Sequence, residues 1–414
     1  MFTSSFRLRC VVVVALLAVG VASGVERAAA QKPGTGSSPS SVLRPVGGSV
    51  RNDYRSQHFY IHTDLPAAEA QELLERLERM LALISVYWQK QAQGIIECYV
   101  VKDLANWPAG TLPDEDGRQM IDSGGGITIS QILGNTGKST VYAGADRGTP
   151  QHEAVHAYCH QNFGTAGPTW YAEGMAEMGQ YWRKDDKSVQ VHDVVVKYIR
   201  SSEPKTLNAI VNSNETTGDS WQNYAWRWAL CHLLATNPNY AANFRPLGLG
   251  ILNRRPVSFE QTYGAMADQI SFEYLFFLQH LCNGYRVDLC SWDWNRKFLA
   301  MSPGSSRIVR IGAWRGWQPS GVLVRPDQTY EIACTGTWKI DPKQSVSADG
   351  DDKGRGRLIG VVFKDFQLSK EFEIGADGTF SPPSEGQLHL RCTDDWSSIA
   401  DNTGQISVKI AVPK

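Results

Sequence analysis

The strongest periodicity in the chain runs from Ala67 to Lys90. Ala70, Leu73, Leu74, Leu77, Leu81, Ile84 and Trp88 recur at helical spacing with Glu and Arg between them, which predicts a long amphipathic helix. Short apolar runs surround it. Phe59 to His62 predicts a strand, Ile95 to Val101 a buried one, and Ile127 to Ile132 and Thr140 to Tyr142 two more. Asn106 to Gly126 is polar and rich in glycine and predicts loop. Helical patterns return at Val191 to Arg200, Trp221 to Ala235 and Phe272 to Cys282. Phe259 to Gly264 and Trp292 to Phe298 close this region with aromatics, and Met301 to Ser306 marks a boundary. From Ile308 onward the pattern changes to short alternating runs separated by Gly, Pro and Asp. Gly321 to Val324, Thr329 to Cys334, Leu358 to Phe363, Gln387 to Arg391 and Gln405 to Val412 together predict a small all-β sandwich.

The first residues read differently. Arg7 and Arg9 precede an apolar run, Val11 to Ala22, too short to span a bilayer, and Ala28-Ala29-Ala30 offers a small-residue cleavage site. Residues 1–30 are expected to be a signal peptide, so the protein is expected to be secreted or periplasmic. Residues 31–50, rich in Gly, Ser and Pro, are expected to be a flexible linker. No later stretch reaches the roughly 18 apolar residues a membrane span needs. Two domains are expected to follow, 51–303 and 304–414, in keeping with the usual prior of about 150 residues each. A formal net charge of −1 gives no electrostatic footprint for nucleic acid. Export permits disulfides. Setting Cys10 aside leaves an odd number of cysteines, among which Cys282 with Cys290 and Cys334 with Cys392 suggest pairs.

The chemistry concentrates between Thr149 and Gln180. His152, Glu153 and His156 form H-E-x-x-H, and the run Trp170-Tyr171-Ala172-Glu173-Gly174 follows. Residues four apart share one face of a helix, so two imidazoles there can grip one ion. Zinc accepts nitrogen ligands in tetrahedral geometry, and a catalytic site takes three protein ligands. Such an ion makes water a nucleophile near neutral pH. Glu153, beside the first His, is placed to take the proton as general base. Thr149 can cap this helix and Pro150 suits its first position. His160 lies about 12 Å along the axis from His152, too far to share its ion. Gly164, Gly167 and Pro168 predict a turn into a second helix from about Thr169. Glu173 and Glu177 share a face of that helix, and spacing does not choose between them as the third ligand.

HEAVH followed by WYAEGMAE resembles the gluzincin metallopeptidases, and more closely the bacterial peptidase-MA-like proteins of unknown substrate. The resemblance implies an α+β gluzincin-like fold with His152, His156 and Glu173 as zinc ligands and Glu153 as base. Such enzymes often hold the oxyanion with a downstream Tyr or His, which implies Tyr224, with His232 a weaker candidate. They bind extended substrate along an edge strand, here Ile127 to Ile132 or Thr140 to Tyr142. A second resemblance covers most of the last hundred residues. AWRGWQPSGVLVRPDQTYEIACTGTWKIDP and LHLRCTDDWSSIADNTGQISVKI look like the bacterial calcium-dependent galactophilic lectin. It implies calcium ligands Asp394, Asp401 and Asn402, with backbone oxygens near Ile340 and Ser398. The lectin's His-Pro-x-x-Gly pattern is absent, replaced by Ala348 to Arg357. The expected function is that of a secreted zinc metallopeptidase acting on protein or peptide, with a lectin-like module for targeting to carbohydrate or for stability. The alternative is a calcium-dependent glycan-binding surface protein whose peptidase-like domain is structural.

Overall fold

The fold is described from a computed structural model, which covers residues 51–133, 136–183, 186–212, 220–343 and 345–414. The expected signal peptide and linker lie outside the described residues. The chain forms two compact units that do not divide at a single point. The first takes the described residues of Met1–Trp182, Asn208–Cys231 and Arg245–Ser258; the second takes those of Arg183–Leu207, His232–Phe244 and Phe259–Lys414.

The first unit is built on a five-stranded sheet of β1 (Asn52–Arg55), β2 (Phe59–Thr63), β3 (Ile96–Val101), β4 (Gly126–Leu133) and β5 (Thr136–Gly144), in the order β1-β2-β3-β5-β4. β2, β3 and β5 run parallel, and β1 and β4 are antiparallel edges. The predicted amphipathic helix, α1 (Ala67–Tyr87), makes the crossover from β2 to β3 and buries Leu73, Leu74, Leu77, Met80 and Leu81. Strand residues alternate between faces. Phe59, Ile61, Cys98, Val100, Val141 and Ala143, all essentially inaccessible, form one face. Tyr99, Val101, Tyr142 and Ile127 form the other with Trp107 and Leu112.

The segment expected to be loop between Asn106 and Gly126 contains a short helix, α2 (Glu115–Asp122). Asp114 caps it, its carboxylate accepting from the amides of Asp116 and Gly117. α2 lies on the tyrosine face so closely that a Cβ at Gly117 would meet the Tyr142 ring at 2.5 Å. Few apolar residues mark this helix in the sequence; its cap and the neighbouring aromatic face hold it.

The later helices are α3 (Thr149–Phe163), α4 (Thr169–Gln180), α5 (Asp193–Ser201), α6 (Leu207–Val211), α7 (Trp221–Thr236), α8 (Ala241–Leu252), α9 (Phe259–Tyr263), α10 (Ala267–Gln279) and α11 (Val287–Cys290). None of the described helices is long and apolar enough to cross a membrane.

The second unit contains the sandwich. Its strands are β6 (Leu299–Ala300), β7 (Ser306–Gly312), β8 (Gln318–Val324), β9 (Tyr330–Thr335), β10 (Trp338–Lys339), β11 (Ser345–Val346), β12 (Leu358–Lys364), β13 (Gln367–Leu368), β14 (Phe372–Glu373), β15 (Asp377–Phe380), β16 (Gly386–Cys392) and β17 (Thr403–Ala411). One sheet runs β11-β10-β17-β9-β15 with β7 beside β17; the other runs β13-β12-β16-β8-β6 with β14 beside β12. Val309, Ile311, Tyr330, Ile332, Ile406 and Val408 of the first face Val322, Val324, Leu358, Val362, Leu388 and Leu390 of the second. β12 is apolar on both faces because Ile359, Val361 and Phe363 pack outward against Phe272 and Phe276 of α10 and against Trp292 and Trp317. The chain is thus mixed, with an α/β sheet in one unit and a β-sandwich in the other.

The suggested cysteine pairs are not formed. Cys282, Cys290, Cys334 and Cys392 are free thiols. Cys334 stands on β9 and Cys392 on β16, strands of different sheets, and the Cys334 thiol points instead to the Gly375 carbonyl at 3.6 Å. Cys290 and Cys392 are buried; Cys392 lies in the apolar core of the sandwich, where a thiol behaves as a small hydrophobe.

Candidate metal centre

α3 lies across the sheet and its residues from Thr149 to Asn162 are all buried. Thr149, expected to cap it, is instead its first residue. Gly148 takes the cap position, and the Asp146 carboxylate accepts from the amides of both Gly148 (2.7 Å) and Thr149 (2.8 Å). Negative charge at a helix start is favourable, so Asp146 does the work assigned to the threonine hydroxyl. Pro150, expected at the first position, is therefore the second residue of the helix. Gly164 ends the helix in the left-handed conformation at φ 72°, and Pro168 opens α4.

Two glycines let α4 approach its neighbours. A Cβ at Gly174 would overlap Cys231 Sγ and stand 2.8 Å from the Arg227 carbonyl oxygen, and one at Gly179 would stand 2.5 Å from Val155. Glycine costs a helix interior about 1 kcal/mol. Here it brings Glu173, fully buried, against the α3 histidines.

His152 Nε2 and His156 Nε2 are 3.2 Å apart. Glu173 Oε2 is 3.3 Å from the first and 3.5 Å from the second. One ligand atom from each of the three side chains lies within 4.8 Å of the others, and no other described set of three His, Cys, Asp or Glu does so. The carboxylate that spacing left open goes elsewhere: Glu177 Oε1 stands 3.1 Å from His152 Nδ1. Glu173 thus addresses one ring nitrogen of His152 and Glu177, a turn later, the other. A carboxylate on the far nitrogen of a ligating His fixes its tautomer and orientation. His160, also buried, is outside the group.

The electrostatics follow the geometry. Burial alone would depress the His152 imidazole, yet Glu173 and Glu177 lift its pKa well above the usual value. Burial would raise Glu173, but the charge on His156 and the close approach of both imidazoles hold it at about 2. Neither Glu173 oxygen has a well-directed hydrogen bond, nor has His152 Nδ1, so the contact of Glu177 with that nitrogen is chiefly electrostatic; His156 Nδ1 also lacks a partner. Buried polar atoms without partners are costly. Two buried imidazoles and a carboxylate converging this closely are the donor set for a divalent cation, so the residues fit a metal.

Glu153 points to the sheet. Thr128 of β4 lies 2.8 Å from Glu153 Oε2 and 2.8 Å from the Glu153 carbonyl oxygen. Tyr224 on α7 is buried with its ring centroid 5.9 Å from that of His152. His232 belongs to the second unit and stacks on Phe277, with burial pushing its pKa down to about 4. Thr128 and the role of Glu177 escaped the sequence reading. The Glu173/Glu177 spacing was a signal for the second; Thr128 had none, because only the fold of β4 over α3 brings it to Glu153.

In the sandwich, Asp394, Asp401 and Asn402 lie close enough together to influence the ionisation of Asp394, which burial raises while the Asp395 amide and Asn402 draw it down. Asp394 Oδ2 and Asn402 Oδ1 are buried acceptors without a donor. Asn402 Nδ2 donates to the Ala313 carbonyl at 3.4 Å.

No protein-family model and no curated protein matches the sequence. Among solved structures, the chain is similar over 26% of its length to 95% of a PllA-like lectin, the EclA N-terminal domain, at 19% identity and a TM-score of 0.22. A functionally unknown conserved protein from Bacillus anthracis aligns with 27% of the chain and 21% of its own length, at 17% identity and a TM-score of 0.16. The metallopeptidase IMPa from Pseudomonas aeruginosa, solved with an O-glycopeptide, aligns with 80% of the chain and 38% of its own length, at 13% identity and a TM-score of 0.19.

Proposed function

We propose that the protein is an exported zinc-dependent peptidase, with a gluzincin-like hydrolase domain at 51–303 and a lectin-like module at 304–414. The observation that carries this reading is the buried convergence of His152, His156 and Glu173, with Glu153 on the same helix. In this reading His152 and His156 hold the ion through Nε2 and Glu173 through its carboxylate, while Glu177 fixes the first imidazole. The bound ion supplies Lewis acidity at a scissile carbonyl and at the attacking water. Glu153 takes the proton of that water and passes it to the leaving amine. Tyr224 is assigned to the oxygen that gains charge, a role its position beside His152 supports. β4, an edge of its sheet, is assigned to extended substrate, which its free backbone groups would pair.

The module is assigned a calcium ion at Asp394, Asp401 and Asn402, with backbone oxygens near Ile340 and Ser398. Calcium takes several oxygen ligands, and the donorless Asp394 Oδ2 and Asn402 Oδ1 fit that need. Extracellular carbohydrate is the partner assigned to it.

The test uses the full chain loaded with zinc and a peptide library. Wild type should cleave, and Glu153→Gln should retain one zinc per chain while losing at least about 100-fold in turnover, the lower end of general-base contributions. Equal turnover in that variant would remove Glu153 from the mechanism. Calcium-dependent binding on a glycan array, with no library peptide cleaved by wild type, would favour the glycan-binding alternative.

A further inference from the structure

We infer that Thr128 is a positioning residue for Glu153, and that β4 is shaped around this side chain. The inference rests on the reading of Glu153 as the general base. Gly126 and Thr128 are two apart on β4 and face the same side. At Gly126 a Cβ would stand 2.9 Å from Glu153 Cγ and 2.6 Å from Thr149 Cγ2, so the bare position leaves room for the glutamate stem. Two residues on, the Thr128 hydroxyl meets the head of the same side chain at 2.8 Å.

The plainer account is that Thr128 ties the strand to the helix backbone, since its oxygen is also 2.8 Å from the Glu153 carbonyl. A hydroxyl has one proton to give. The Glu153 carbonyl lies inside α3, where a helix carbonyl already accepts the amide four residues on. A carboxylate only accepts, and this one belongs to a residue that is 1% exposed. With the carbonyl already served by its helix and a charge-assisted acceptor the stronger one, the proton is assigned to Oε2. Pairing of Thr128 with Val141 of β5 fixes the height of the hydroxyl over α3. Glu153 is therefore held by the strand as well as by its own helix. Under the proposed function the strand assigned to substrate also sets the position of the base.

The test is a double-mutant cycle on the metal-free full chain, followed by urea unfolding. Thr128→Val keeps the shape and removes the hydroxyl; Glu153→Ala removes the carboxylate. The cycle should give a coupling of about tenfold in the folding equilibrium constant, within the range for directly bonded residues, and Thr128→Ser should recover most of it. If either variant fails to fold, Thr128→Ala with Glu153→Gln completes a second cycle. Coupling below about twofold would show that the hydroxyl serves the helix backbone, and would overturn the inference. In the zinc-loaded enzyme, Thr128→Val should lower kcat about tenfold or more, with KM and zinc affinity within about threefold of wild type. Unchanged kcat would likewise overturn it. If wild type cleaves nothing, the peptidase reading fails by itself, and the cycle still decides whether Thr128 holds Glu153.

Discussion

Replacing Glu177 by alanine removes the carboxylate 3.1 Å from His152 Nδ1 without touching a proposed ligand atom. Glu177 is 3% exposed, so bulk water does not readily take its place. The substitution removes the negative charge beside a buried ring nitrogen that has no well-directed hydrogen bond of its own. Carboxylates on the far nitrogen of a ligating His are worth about 10–100-fold in metal affinity, or about 1.4–2.7 kcal/mol. Glu177→Gln separates charge from hydrogen bonding. Its amide oxygen can still accept from His152, but its NH2 then faces the Gln180 amide, which now donates to Glu177 Oε2 at 3.2 Å. That variant should lose only a few-fold. The assay is competition for zinc against a calibrated chelator, with circular dichroism to confirm that each variant is folded. The expected order of affinity is wild type with Glu153→Gln, then Glu177→Gln, Glu177→Ala and Glu173→Ala. Wild-type affinity in a folded Glu177→Ala protein would refute the assignment of Glu177 as the support of His152.

Two further predictions concern the second unit. His389 is fully buried and its ring centroid lies 4.2 Å from that of Trp292; burial pushes its pKa down to about 3. The unfolded chain, with His near its usual value of about 6.5, takes up a proton first as pH falls, so this group favours folding above about 6.5 and loses that contribution toward pH 3. From pH 7 to 5 the loss is about 2 kcal/mol; other buried His such as His232 lose stability in both proteins, so urea unfolding should show a wild-type loss exceeding that of His389→Phe by about this amount, and equal losses in both would contradict it. Calcium at millimolar concentration should raise the melting temperature of wild type and leave Asp394→Asn unmoved, and an equal rise in the variant would place the ion elsewhere.

Much of the architecture was legible because burial and periodicity coincide. α1 places its apolar stripe on the core, and the short runs after Ile308 lie on strands of the sandwich. The two histidines and both glutamates were legible from spacing. The division of labour between the glutamates was not, since i and i+4 on one helix face look alike until α4 is packed against α3. β4 was read as a strand, but its place at the edge and the reach of Thr128 to Glu153 are properties of strand order, which no local pattern carries. α2 was hidden because its stability comes from the Asp114 cap and the Tyr142 face and little from its own apolar content. The cysteine pairs misled because parity and compartment suggest bonds, whereas all four thiols are free and Cys334 and Cys392 stand on strands of different sheets.

The most direct measurement is anomalous diffraction at the zinc edge from crystals of the full chain grown with one equivalent of zinc. A single strong peak bounded by His152 Nε2, His156 Nε2 and the Glu173 carboxylate, absent in Glu173→Ala crystals, is the predicted result. A peak seated on other residues, or none within reach of these three side chains, would contradict it.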